Sequence, residues 1–253
     1  MSKLDRFKKS SNPMFKEEVF KNESVLDEGL VGQQAQELMT VNGAVNKTFV
    51  LFGIMLMGAG VGFMFPIQFM ILPYVIGGAV IYFITSRNPA RSPILAPLYA
   101  LVEGLLVGTV TYIYMAMFDG IVLNAASLTF AILFMMLALY KSGLVTVTQK
   151  FRSGVTMAVG AVMLLYLVNI VLHFFGISIP FLHDGGPIAL GISGIIIVIA
   201  SLNLLLDFDN FEKGEAHGAP KHMEWYFGMG LLFTLIWLYL EILRFLAMFA
   251  GND

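Results

Sequence analysis

The sequence has no cysteine, which removes disulfides, thiolate nucleophiles and cysteine metal ligands together. It is also short of charge. Asp, Glu, Lys and Arg make up 13% of its 253 residues, against 58% hydrophobic residues. Between Lys47 and Arg87 no charged residue occurs at all. That interval is long enough for two membrane crossings of about 20 residues each. The formal net charge of −2 leaves no basic surplus to attract nucleic acid. No P-loop, Rossmann glycine pattern or His/Cys cluster occurs, so no nucleotide fingerprint, bound cofactor or resident metal site is expected. The first 40 residues contain no apolar core of a signal peptide, so no cleaved leader is expected.

What the chain does have is a series of apolar runs. Seven spans are predicted, at about 48–66, 68–86, 95–117, 121–141, 155–178, 186–206 and 226–249. Short turn-forming stretches separate them, such as "FPIQ" (65–68), "NPARSP" (88–93) and "HDGGP" (183–187). The longest connector, 207–225, is also the most polar. The sequence therefore predicts an all-α integral membrane protein, a seven-transmembrane-helix bundle (48–253) preceded by a polar arm (1–47). Within that arm, 12–30 has the pattern of a short surface helix. Of the 15 basic residues, all but Arg244 fall in the arm or in alternate loops. The positive-inside rule then puts the arm and the N-terminus in the cytoplasm.

Ionisable and polar groups at membrane depth are the functional candidates, because burying them in hydrocarbon is costly. Glu103 lies in the third span, beside a Gly104–Gly108 GxxxG face suited to close helix approach. On the sixth span Asn203, Asp207 and Asn210 follow at i, i+4 and i+7, which places them on one helical face. Asp209 points nearly the opposite way and, with Glu212, reads as a solvated membrane exit. These four inward groups, Asp207, Glu103, Asn203 and Asn210, form the predicted ion or proton site. Two further stripes occur: Tyr166, Asn169 and His173 on the fifth span, and Thr234, Trp237, Glu241 and Arg244 on the seventh. Glu241 and Arg244 are one turn apart, so a neutral ion pair is the plain reading of a secondary polar network that also includes Thr234.

Enzymatic readings fare poorly. "GISG" (191–194) matches the GxSG of intramembrane serine proteases, and His173 lies at a similar depth to serve Ser193 as base. Small residues in membrane helices usually serve packing, and one short pattern in a glycine-rich chain carries little weight. No catalytic residue is assigned. The histidines of the polar connector, His217 and His222, flank a "GAP" turn and read as loop residues.

Several segments carry a resemblance: "MTVNGAVNKT" (39–48), "SPILAPLYALVEGLLVG" (92–108), "LALYKSG" (137–143), "LNLLLDFDNFEKGEAHGAPKHMEWYFG" (202–228) and "LIWLYLEILR" (235–244). Through them the chain resembles a bacterial branch of the Bax-inhibitor-like (YccA-type) membrane proteins, from about residue 40 to its end. The resemblance implies six helices wrapped around a central one in a bacterial inner membrane. It implies a pH-sensitive calcium leak, with calcium as the transported ion and membrane lipid as the surroundings. In the leak branch an aspartate on the sixth helix, matched by Asp207, faces one on the seventh. Here the second position holds Thr234. Two facing carboxylates can share a proton and so form a pH switch, whereas an Asp–Thr pair offers only one acid. The expectation is then that Glu103 partners Asp207. A relative that modulates a membrane protease implies the alternative, a non-conducting protein that binds a protease or stress complex through its arm.

Overall fold

The computed structural model describes residues 37–176 and 186–251, so the predicted surface helix at 12–30 and His183 lie outside the described residues. Residues 39–251 form one helical unit with no strand among the described residues. Its helices are α1 (Val41–Met64), α2 (Ile71–Arg87), α3 (Ser92–Met117), α4 (Ile121–Lys141), α5 (Gln149–Phe174), α6 (Pro187–Ala216) and α7 (Met223–Ala250). All seven, with the 3-10 turns that lead into α2 and α3, are long and apolar enough to cross a membrane.

Local chemistry sets the ends. Thr40 caps α1, its side chain accepting from the Gly43 amide at 2.9 Å. Proline lies in the first turn of both α3 and α6, where its missing N–H costs no helical bond. Before α4 the backbone turns through Gly120 at φ 72°, a left-handed conformation that suits glycine.

The hydropathy reading and the helices differ most in α6. Its predicted span ends at 206, yet the helix runs ten residues further and the connector shrinks to 217–222. The extra turns are polar, and tertiary bonds hold them. Tyr140 of α4 donates to Glu212 at 2.7 Å, and Arg152 of α5 reaches both Asp209 and Asn210. Lys213 adds an i,i+4 pair to Asp209 at 2.7 Å. Asp209 is thus ion-paired rather than merely solvated.

α7 is the hub. Of its apolar window 56% is buried, against 11% for α2 and α5. It packs on α1, α3, α4 and α6. It meets α2 through the Tyr82 and Phe233 rings, tilted 36° to one another, and α5 through Tyr166 and Glu241. The helix in the centre of the bundle is therefore the last one. The tightest pairing is α1 on α3. A Cβ added at Gly58 would meet the Leu101 carbonyl at 2.7 Å, and one at Gly104 would strike the Met55 carbonyl. Gly62 and Gly108 repeat the relation one turn on, so the GxxxG of α3 has a counterpart at Gly58–Gly62 of α1. The outer surface is apolar: Phe49, Leu123, Met157 and Ile195 are each at least 62% exposed. An apolar belt of that extent suits lipid and not water.

At the end that carries Arg87, Lys141 and Lys213, a clasp ties four helices together. Glu224, 3% exposed at the start of α7, accepts from the Thr40 amide at 3.1 Å. Glu215 accepts from the Val41 amide at 3.2 Å, and Ser92 donates to the His222 carbonyl at 2.7 Å. Carboxylates thus satisfy the free amides of the α1 N-terminus, where a negative group is also favoured by the helix dipole.

Candidate functional site

Asp207 is 8% exposed on the inward face of α6, and Thr234 lies opposite on α7. The Thr234 hydroxyl donates to Asp207 Oδ2 at 2.7 Å, and itself accepts from the Asn203 amide at 2.8 Å. Asn203 also approaches Oδ2 at 3.4 Å. The spacing of these residues explains the meeting. Asn203 and Asp207 are one turn apart on α6, and α7 runs antiparallel beside them. The other oxygen, Oδ1, lies toward Gly230, where the lack of a side chain leaves room: even an added Cβ would stand 3.9 Å away.

That open side is a cavity of about 100 Å³ at the basic end, lined by Tyr82, Asp207, Asn210, Tyr226, Phe227, Met229 and Gly230. Every donor on Asp207 is neutral, and among the described residues no ion pair reaches it. The Arg152 guanidinium, whose charge is felt at Asp207, makes its direct contacts elsewhere, with Asp209 and with Asn210 Oδ1 at 2.8 Å. A buried carboxylate without a counter-charge is costly, so a cation or a proton arriving from the cavity would complete the site. Asn210 lines the cavity, but its oxygen is already taken, which weakens it as a ligand. With so few free oxygens, a bound cation would keep much of its water.

Glu103 is also 8% exposed, but it is placed elsewhere. Among the described residues no hydrogen bond joins it to Asp207. Its carboxyl lies against Gly78 of α2, with the Tyr99 hydroxyl beside it. The expected Asp207–Glu103 pair is therefore absent. Similar depth in the membrane does not give the same azimuth, and Glu103 points to the α2 side of α3.

The second polar layer lies seven residues further along α7, about 10 Å by helical rise. Glu241 is 3% exposed and accepts from Tyr166 of α5 at 2.5 Å and from Ser193 of α6 at 2.6 Å. Arg244 completes it with an ion pair at 2.5 Å, and its guanidinium lies 5.6 Å from the centre of the Tyr166 ring. The expected Glu241–Arg244 pair is present, with two hydroxyl donors added. Ser193, the serine of "GISG", spends its hydroxyl on Glu241; the side chain of His173 lies outside the described residues. Between the two layers Ile196, Ala200 and Leu238 are buried to within 2% and belong to one apolar cluster.

Sequence reasoning missed Tyr82, Tyr226 and the clasp acids. Aromatic residues in an apolar helix give no signal of facing a cavity. Glu224, an acid in the first turn of α7, was the one visible hint.

None of the curated proteins matches the chain. The family described as Bax inhibitor 1 like matches residues 12–251, nearly the whole length. With seven helices fit to cross a bilayer and that match over almost its full sequence, the chain is an integral membrane protein that belongs to the Bax inhibitor 1 like family.

Proposed function

We propose that this protein is a pH-sensitive cation leak, with calcium as its ion, in a bacterial inner membrane. One observation carries the reading: Asp207 is a buried acid whose donors among the described residues are neutral, and it opens onto a cavity at the basic end of the bundle. A hydrated cation entering there gains the carboxylate as a ligand and supplies its missing counter-charge. The Ile196–Ala200–Leu238 layer is the closed gate beyond it.

A proton competes for the same oxygens. Protonating Asp207 removes the charge that draws the Thr234 and Asn203 donors across the α6–α7 seam, and the seam loosens. Thr234 supports the neutral state as well, since a hydroxyl both donates and accepts.

The experiment is calcium flux into liposomes holding purified protein, at acidic and alkaline pH, for wild type and Asp207→Asn. Flux that responds to pH in wild type and loses that response in Asp207→Asn is expected. An unchanged pH response in the variant removes Asp207 from the role. No flux above empty liposomes at either pH would favour the non-conducting alternative, a partner of a membrane protease or stress complex.

A further inference from the structure

We propose that Glu103 is a second proton-binding site, separate from Asp207 and connected to its cavity through Tyr99 and Tyr82. Two antiparallel helices build it as a ladder. On α2, Gly78 and Tyr82 are four residues apart and share a face; on α3, Tyr99 and Glu103 do the same. One rung sets Gly78 against Glu103, and a Cβ at Gly78 would collide with the Glu103 carboxyl. The next rung sets the Tyr82 ring against the Tyr99 ring, with centroids 6.2 Å apart. Tyr82 also lines the Asp207 cavity. The order from the cavity is therefore Tyr82, Tyr99, Glu103.

Two groups in the ladder are incomplete. The Tyr99 hydroxyl, on a side chain 1% exposed, lies beside the Glu103 carboxyl without a well-formed hydrogen bond to it or to any other described residue. Glu103 itself has no ion pair among the described residues. A bare carboxylate in that setting would face the full cost of burial, so something positive must share the site.

A proton fits and a metal ion does not. Calcium takes six or more oxygen ligands; only the two carboxyl oxygens and one phenol converge here, and Glu103, unlike Asp207, does not line the cavity whose water could complete the shell. A proton needs one acceptor, and the phenol can then donate to the carbonyl oxygen of the neutral acid. The charged groups of the surrounding helices are engaged elsewhere: Arg87 of α2 lies over the Phe83 ring at 4.4 Å. Lys47 of α1 sits over the Trp225 ring at 4.8 Å, while Glu224 of α7 bonds Thr40. Tyr239 of α7 shares a hydrogen bond with Thr111, and α4 has no acid or base before Tyr140. The glycine at 78 is what allows an acid to be housed between α2 and α3 at all.

That Glu103 takes up a proton stands on its own; exchange with the cavity rests on reading that cavity as the ion site. The test is pH-difference infrared spectroscopy on the full chain in lipid nanodiscs, read at the carbonyl stretch of protonated carboxyls. Wild type should show bands from two buried acids. Glu103→Gln should lose one and Asp207→Asn the other. Tyr99→Phe, nearly isosteric, should move the Glu103 band to higher frequency by removing its hydrogen-bond donor, and leave the Asp207 band in place. A spectrum unchanged in Glu103→Gln overturns the proposal, as does an unmoved band in Tyr99→Phe. So does loss of both bands in Asp207→Asn, which would make the two acids one site. Both bands in a wild type that conducts no calcium would sink the leak and uphold this second site.

Discussion

The seam between α6 and α7 holds two buried carboxylates in opposite conditions. Glu241 is saturated: two hydroxyls and a guanidinium surround it, and its charge is cancelled within one turn of helix. Asp207, two turns nearer the basic end, has two neutral donors, no salt bridge among the described residues, and a cavity on its free side. The same chemical group is structural in one place and available in the other. What separates them is not burial, which is similar, but whether the protein supplies the counter-charge.

Breaking the satisfied layer should have the largest effect. Arg244→Met leaves Glu241 buried without its cation, and loss of one partner of a buried pair costs about 3–5 kcal/mol. Thermal unfolding in detergent should show a large fall, with less of one in Glu241→Gln/Arg244→Met, where neither charge remains. Thr234→Val strips the better donor from Asp207 and should cost about 1–3 kcal/mol by the same assay, with Thr234→Ser restoring it. Asp207→Asn should cost no more than about 1 kcal/mol, since an amide oxygen still accepts from Thr234. Its effect belongs to ion flux and not to stability, and a large loss of stability would mean that Asp207 is as structural as Glu241. The smallest effect is Lys213→Ala. It removes a half-exposed i,i+4 pair worth about 0.3–0.5 kcal/mol, within error of wild type in the melting curve.

Thr234→Asp sharpens the comparison from the other side, because it places a second carboxylate opposite Asp207. Two acids there can share one proton but repel when both are ionised. Stability of the variant should therefore fall as pH rises, and its calcium flux should depend more steeply on pH than that of wild type. A melting temperature in the variant that follows wild type across pH would show that the two positions do not face one another closely enough to couple.

Much of this was legible in the sequence, and the reasons for the rest are physical. Hydropathy and the charge-free interval yield seven crossings, and 121–141 matches α4 end to end. Helical periodicity puts Asn203 and Asp207 on one face and Thr234 and Glu241 on another. The i,i+3 spacing pairs Glu241 with Arg244. What periodicity cannot supply is the azimuth of one helix against another. It could not show that Glu103 turns to Gly78, or that Ser193 meets Glu241 forty-eight residues away. Nor could a hydropathy window carry α6 through its polar last turns, because Tyr140 and Arg152 hold those turns from other helices.

The most direct test of Asp207 as the ion site is equilibrium binding of radioactive calcium to purified protein, which needs no open gate. Wild type, Asp207→Asn and Glu241→Gln are compared at neutral and acidic pH. Binding at neutral pH that weakens in acid, is lost in Asp207→Asn and survives in Glu241→Gln is the predicted result. Calcium binding that persists undiminished in Asp207→Asn would contradict the account.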